Sequence, residues 1–195
     1  REIIVGHSHA FGRLGRGNTA LLQTLGRQSG FQVHVVPPLT IAGEEVNSSR
    51  IRKLITQGQI RQATALLGHP YRLSGVVVYG AGRGRQLDFP TANLDFQTPQ
   101  ALLPKRGVYA VRVKLAESWR PAVMNIGVRP TFGTGQESCE VHIIDFDGDI
   151  YDQKLAIEFV DRLRDETRFP SVEALKTQIA RDVDSAREML TSGGE

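Results

Sequence analysis

Cysteine is nearly missing from this chain: Cys139 stands alone, so no internal disulfide can form, and a single thiol suits a reducing cytoplasm. Long hydrophobic runs are missing too. No window approaches 18 uninterrupted apolar residues, and the opening Arg1-Glu2-Ile3-Ile4-Val5-Gly6 is too short for a signal h-region, which sets aside membrane-spanning and secretory readings. Aromatic residues make up 7% of the chain, with one tryptophan. That is thin material for the interleaved basic and aromatic stacking face of a single-strand nucleic-acid binder. Internal repeats and low-complexity tracts are absent as well.

What is present fits a folded cytoplasmic protein of one large or two small domains in 195 residues. Counting glycine and leaving out tyrosine, roughly 48% of residues are apolar, the ordinary globular level, and charged residues are 23%. The net charge of +3 is unevenly spread: residues 1–94 hold 11 Lys and Arg against 4 Asp and Glu, residues 95–195 hold 13 against 17. A basic first half points to a phosphate-bearing partner, nucleotide or nucleic acid.

The first 69 residues read β-α-β-α-α. Glu2–Val5 is a short apolar strand. Asn18–Ser29 carries Leu21, Leu22 and Leu25 at helical spacing, with Asn18 as N-cap and Gly30 as the stop. Phe31–Val36 alternates as a strand, and helices follow from Ser48 or Ser49 to Gln57 and over Gln59–Leu67. After His69-Pro70 the grammar changes to strands at Arg72–Tyr79, Gly107–Leu115, Trp119–Ile126, Cys139–Asp145 and Lys154–Val160. Asp147-Gly148 predicts a type I′ hairpin joining the last two. Ser171 caps a final helix with Val172, Leu175, Ile179, Val183 and Ala186 on one stripe. The expected domains are residues 1–69 and 70–195, and even strand spacing predicts a sandwich or barrel in the second.

The stretch Gly80-Ala-Gly-Arg-Gly-Arg-Gln-Leu-Asp-Phe-Pro-Thr-Ala-Asn93 carries the chemistry. Gly80, Gly82 and Gly84 let backbone N–H groups approach phosphate oxygens, while Arg83 and Arg85 neutralise charge. It is not the dinucleotide fingerprint, because the third glycine comes early and no helix pattern follows. By themselves these glycines serve a flexible hairpin loop equally well. Thr91 and Asn93, two apart on an extended chain, place two neutral oxygens on one side, which suits Mg²⁺ with phosphates completing its shell. Without the glycine loop, they read as ordinary turn residues.

Together these residues resemble the riboflavin kinase signature, Gly-x-Gly-Arg-Gly-Arg followed by Phe89-Pro90-Thr91-Ala92-Asn93-Leu94. The resemblance continues through Leu103-Pro104, Gly107-Val-Tyr-Ala, Asn125-Ile-Gly-Val-Arg-Pro-Thr-Phe132, Glu140-Val-His142 to Tyr151, and Leu163-Arg-Asp-Glu166 with Phe169. Residues 1–68 resemble the end of the adenylyltransferase module in the bacterial bifunctional riboflavin kinase/FAD synthetase family, through Val5-Gly6 to Phe11-Gly12 and Val46-Asn-Ser-Ser-Arg-Ile-Arg52.

The resemblance implies an α+β protein: a six-stranded antiparallel β-barrel with a C-terminal helix, preceded by a truncated Rossmann-like nucleotidyltransferase remnant. It implies phosphorylation of riboflavin by ATP to give FMN and ADP. Gly80, Gly82, Arg83, Gly84, Arg85, Thr91 and Asn93 would bind ATP, with Thr91 and Asn93 as Mg²⁺ ligands. Glu140 would act on the flavin 5′-hydroxyl. Alternation supports its placement, because Val141 and Ile143 facing inward leave Glu140 and His142 on the opposite face. Arg164 and Phe169 would close over the flavin; the bland alternative pairs Arg164 with Asp161 or Glu166. Ser48, Ser49, Arg50 and Arg52 at a helix start would be a vestigial adenylyltransferase ATP site. The His-x-Gly-His-type motif of that activity is absent, since His7-Ser8-His9 lacks the glycine, so this chain is expected to make no FAD.

Two positions depart from the pattern: Asp88 stands where a glycine precedes Phe-Pro-Thr-Ala-Asn, and Asp152 replaces a glycine after Tyr151. Near misses fall away. Gly12-Arg-Leu-Gly-Arg-Gly-Asn-Thr19 lacks the P-loop lysine, Asp145-Phe-Asp-Gly-Asp149 puts its glycine too early for an EF-hand, and the histidines are too scattered for zinc. No nucleic acid, membrane or obligate protein partner is expected. The rival functions are a nucleic-acid-binding barrel and a catalytically silent flavin binder.

Overall fold

The computed structural model describes residues 1–80, 82, 84, 87–96, 101–128 and 137–191. Arg83 and Arg85, the Arg129–Phe132 block and the final Ser-Gly-Gly-Glu lie outside the described residues. Two compact units divide between Asn47 and Ser48.

In Arg1–Asn47, β1 (Glu2–Gly6) pairs in parallel with β2 (Gln32–Val36), joined through α1 (Thr19–Ser29). Asn18 caps α1 as expected, its Oδ1 accepting from Leu21 N at 3.0 Å, and Gly30 ends it at φ 76°. A tiny antiparallel pair, β3 (Thr40–Ile41) and β4 (Glu44–Glu45), comes next.

The second unit opens with α2 (Ser48–Thr56) and α3 (Ile60–Leu67). The strand grammar does change near residue 70, but by packing these two helices belong with the barrel. Ile60 joins the barrel core, and the Lys105 amide donates to the Ile55 carbonyl.

Six strands close the barrel: β5 (Tyr71–Val78), β6 (Ala92–Asp95), β7 (Gly107–Leu115), β8 (Ser118–Val128), β9 (Glu137–Ile143) and β10 (Lys154–Arg164), in the order β10-β5-β6-β9-β8-β7. All pairings are antiparallel. The interior fills with the inward residues of each strand, among them Val77, Leu94, Tyr109, Met124, Val141 and Phe159. Cys139 packs with them as expected, and burial, with Glu137 and Glu140 nearby, pushes its thiol up to about 12.

Two expectations need correction. β6 is missing from the strands read from alternation, because it is short and follows the glycine loop. The predicted β9–β10 hairpin does not form: β9 pairs with β6 and β8, β10 with β5 and β7. Residues 147–150 instead run between separate parts of the barrel wall and line a cleft.

The final helix, α4 (Val172–Thr191), is capped by Ser171, whose Oγ accepts from Ala174 N at 3.1 Å. Val183, Ala186 and Leu190 pack on the outer face of β7 and β8 at Val108, Ala110 and Val123, with Ile179 alongside. Val172, expected on this stripe, is 56% exposed at the helix start. Among the described residues no helix is long and apolar enough to cross a membrane.

Candidate active site

One row of cross-strand partners runs around the barrel wall: Val78, Asn93, Glu140, Asn125, Val108 and Arg164 are successive neighbours. Inward residues flank this row on β5 to β9, as Val141 does Glu140 and Met124 does Asn125, so the row faces outward there, and Arg164 joins it after a register shift between Arg162 and Arg164. Antiparallel pairing puts directly opposed side chains about 4.5–5.5 Å apart. Residues distant in sequence thereby become one polar surface.

Two clefts meet at Thr91. The first, about 340 Å³, is lined by Val77, Pro90, Thr91, Ala92 and the segment Phe146–Tyr151. The second, about 400 Å³, lies between the outer wall and α4. Its polar end holds Thr91, Asn125, Glu140, His142 and Glu166; its apolar walls are Leu87, Phe89, Val123, Phe169, Leu175 and Ile179. The Thr91 hydroxyl donates to Glu140 Oε2 at 3.2 Å. With its proton directed at the carboxylate, the oxygen keeps its lone pairs for another ligand.

The glycines are fitted to these groups. A Cβ at Gly80 would overlap the Asn93 side-chain amide, and one at Gly84 would come within 2.7 Å of Thr91 Oγ1. Asn93 is only 7% exposed beneath this backbone. Gly82 meets no such crowding; its φ of 66° is what favours glycine. Expected ATP ligands Gly80, Gly84, Thr91 and Asn93 are thus brought together, with the catalytic candidate Glu140 beside them. Asp88 adopts φ 64°, and its carboxylate accepts from Lys176 Nζ of α4 at 2.6 Å, so this departure from the family pattern is paired across to the helix.

Arg164 does not pair with Asp161 or Glu166. Its Nε and Nη2 donate to Asp182, at 3.0 and 2.8 Å, and its Nη1 donates to the Asp165 carbonyl. Asp182, 5% exposed, also accepts from Gln178 at 2.9 Å. The guanidinium lies 5.6 Å from the centroid of Phe169. Arg164 therefore locks the cleft wall to α4 and backs Phe169. Asp161 pairs instead with Arg61 of α3 at 2.7 Å.

Asn125, Glu166 and Asp182 join the site without having been assigned roles from sequence. Asn125 and Asp182 had a readable signal, each being polar inside an apolar pattern (Val123-Met-Asn-Ile126, and Ile179 to Val183). Glu166 had none; its carboxylate rests where a Cβ on Gly127 would collide. Ser48, Ser49, Arg50 and Arg52 occupy the first turns of α2, with Ser48, Ser49 and Arg52 exposed and Arg50 half-buried.

Fold and geometry together present a candidate small-molecule site on the outer wall of a closed antiparallel barrel, its polar groups gathered at the seam of two clefts. A family profile described as riboflavin kinase matches residues 67–190, and one described as FAD synthetase matches residues 1–50. The bifunctional riboflavin kinase/FMN adenylyltransferase of Pseudomonas fluorescens is 42% identical over 191 residues, covering 97% of this chain and 60% of the relative. That of Escherichia coli K12 is 37% identical over 189 residues, covering 96% and 60%. A crystal structure of a macrolide-efflux protein from Streptococcus pneumoniae superposes with TM-score 0.84 at 33% identity, covering 94% of this chain and 60% of that one. The chain spans about 60% of the length of the curated relatives it matches. It belongs to the riboflavin kinase family.

Proposed function

We propose that this chain transfers the γ-phosphoryl group of ATP to the 5′-hydroxyl of riboflavin, giving FMN and ADP. The observation that carries this reading is the Thr91–Glu140 hydrogen bond at the seam of the two clefts. A phosphoryl group moving between ligands held on either side must pass such a seam.

The second cleft suits the flavin: Phe89, Phe169, Leu175 and Ile179 offer apolar surface to a fused ring, and the polar end receives the ribityl chain. Glu140 accepts the hydroxyl proton as the oxygen attacks phosphorus. The first cleft suits the nucleotide, with Tyr151 on its wall and Tyr79 stacked on that ring at 4.1 Å. The residues fit Mg²⁺: Thr91 and Asn93 offer hard neutral oxygens, held close beneath glycine backbone. When bound, Mg²⁺ would supply charge neutralisation at the transferring phosphate. Gly80, Gly82, Arg83, Gly84 and Arg85 would cradle the phosphates, while Arg164 and Phe169 shape the flavin wall. Most of the catalysis then comes from positioning.

Residues 1–69 and 70–195 divide by function into an adenylyltransferase portion and the kinase. Ser48, Ser49, Arg50 and Arg52 retain a phosphate-binding helix start, but without a His-x-Gly-His-type motif the chain makes no FAD. We place the reaction in the cytoplasm, where a buried Cys139 stays reduced. The test is incubation of the purified chain with riboflavin, ATP and Mg²⁺, with products resolved by chromatography. FMN without FAD is the expected result. Flavin binding with no FMN would make the chain a silent binder, and FAD formation would overturn the assignment of residues 1–69.

A further inference from the structure

We propose that His142 is a positioning residue. Its Nδ1–H, bonded to the Pro90 carbonyl, holds the Pro90-Thr91 peptide so that the Thr91 hydroxyl stays against Glu140. This deepens the kinase reading and rests on it for its catalytic consequence.

The need for such a clamp lies in the shortness of β6. Among the described residues β6 and β9 share two register pairs, Ala92 with Val141 and Asn93 with Glu140. One step further the same register would set Thr91 opposite His142, but β6 starts at Ala92. The main-chain ladder therefore stops just short of the residue whose hydroxyl matters. Pro90 has no N–H, so its carbonyl is the only backbone hydrogen-bonding group it offers.

His142 reaches that carbonyl with Nδ1 at 2.8 Å. A carbonyl oxygen only accepts, so Nδ1 carries the hydrogen and the tautomer is set by this bond. The ring is further fixed by Phe89, which meets it edge to face at 5.5 Å and 83°. Two residues back on the same strand face, Glu140 accepts from Thr91 Oγ1 at 3.2 Å. A single strand thus grips Thr91 twice, through its own hydroxyl and through the carbonyl before it. Losing the second grip frees the loop end and lets the hydroxyl drift from the carboxylate.

The test compares His142→Phe, His142→Asn and His142→Gln in the full chain. Phenylalanine keeps a flat ring beside Phe89 and removes the donor. Asparagine places an amide N–H near the position of Nδ1, and glutamine places one near Nε2. His142→Phe is expected to lower kcat/KM for ATP about tenfold, the scale of one positioned hydrogen bond, with Tm little changed. Asparagine is expected to recover most of that loss and glutamine not. Rescue by glutamine instead of asparagine would assign the role to Nε2 and overturn the proposal, as would full activity in His142→Phe.

A readout independent of turnover keeps the clamp separate from the kinase assignment. Nitrogen NMR of the neutral imidazole should find Nδ1 protonated and Nε2 bare, and the Thr91 amide should exchange faster in His142→Phe than in His142→Asn. If the native chain made no FMN, the kinase reading would fall and these two measurements would still decide the clamp. The opposite tautomer, or equal exchange in both variants, would refute it.

Discussion

The two compact units treat their apolar residues in opposite ways. In Arg1–Asn47 the parallel pair β1–β2 leaves Ile4 71% exposed and Val36 50% exposed. Parallel sheets are ordinarily covered on both faces. In Ser48–Glu195 the strands close on themselves, and Tyr109, Val111, Met124, Val141 and Phe159 have no exposed surface. In the second unit the burial comes from closure. Each barrel strand has a partner on both edges, so register is over-determined, and a row such as Asn93–Glu140–Asn125 is held from three strands at once. Such a closed wall can hold side chains in fixed relative positions.

The largest effect that would break this contrast is on activity. Glu140→Gln should lower kcat for FMN formation about 10²–10⁴-fold, the usual worth of a positioned general base, with riboflavin binding kept. Turnover within about threefold of native would remove Glu140 from the chemistry and take the register argument with it.

Stability sharpens the contrast next. Phe159→Ala, at a position with 0% exposure between Tyr71 and Tyr109, should cost about 3–5 kcal/mol in denaturant unfolding. Ile4→Ala, in the open sheet, should stay within about 0.5 kcal/mol. Equal penalties would mean that the first unit is as tightly built as the second.

How far these features were legible in the sequence depends on the same division between local and closed structure. Asn18, Gly30 and Ser171 announced their helix ends because capping is local chemistry, and the long strands announced themselves by alternation. Glu140 and His142 were placed on the outer face by the inward Val141 and Ile143 alone. Ala92–Asp95 was too short to alternate, and Asp147-Gly148 looked like a hairpin because turn chemistry says nothing of which edges a closing barrel leaves free. Arg164 shows the same limit: its neighbours in sequence are acidic, yet its partner Asp182 comes from a helix laid across the wall. Thr91 and Asn93 stood out through their spacing beside the glycine loop and through family resemblance; without that loop, two polar residues after a proline are ordinary in any turn.

A smaller, local test concerns the glycine over Asn93. Gly80→Ala forces its Cβ into the Asn93 amide, so the side chain or the loop must shift. Displacement on the ångström scale should lower kcat/KM for ATP on the order of 10–100-fold. Gly82→Ala is a control for backbone conformation, because its Cβ would meet nothing within 4 Å. If Gly82→Ala were the more damaging, conformational freedom rather than close approach would govern this loop.

The smallest effect concerns the barrel rim beyond Arg164. Asp165 accepts from Arg162 at 2.7 Å and pairs with Lys105 at 3.2 Å, and these cations hold its carboxyl down to about 2. Arg162 also donates to the Arg106 carbonyl and to the Tyr109 hydroxyl, so the pair ties β10 to the chain entering β7. A carboxyl whose folded value lies below its ordinary 3.8 stabilises the fold above that ordinary value and loses the contribution as pH falls towards 2. Asp165 is mostly exposed, so salt screens the effect. The Tm of the native chain should therefore exceed that of Asp165→Asn modestly at pH 6, and the gap should shrink between pH 4 and pH 2 and narrow in high salt. A gap that stayed constant through that window would place the stabilisation in packing at the rim rather than in the charge of Asp165.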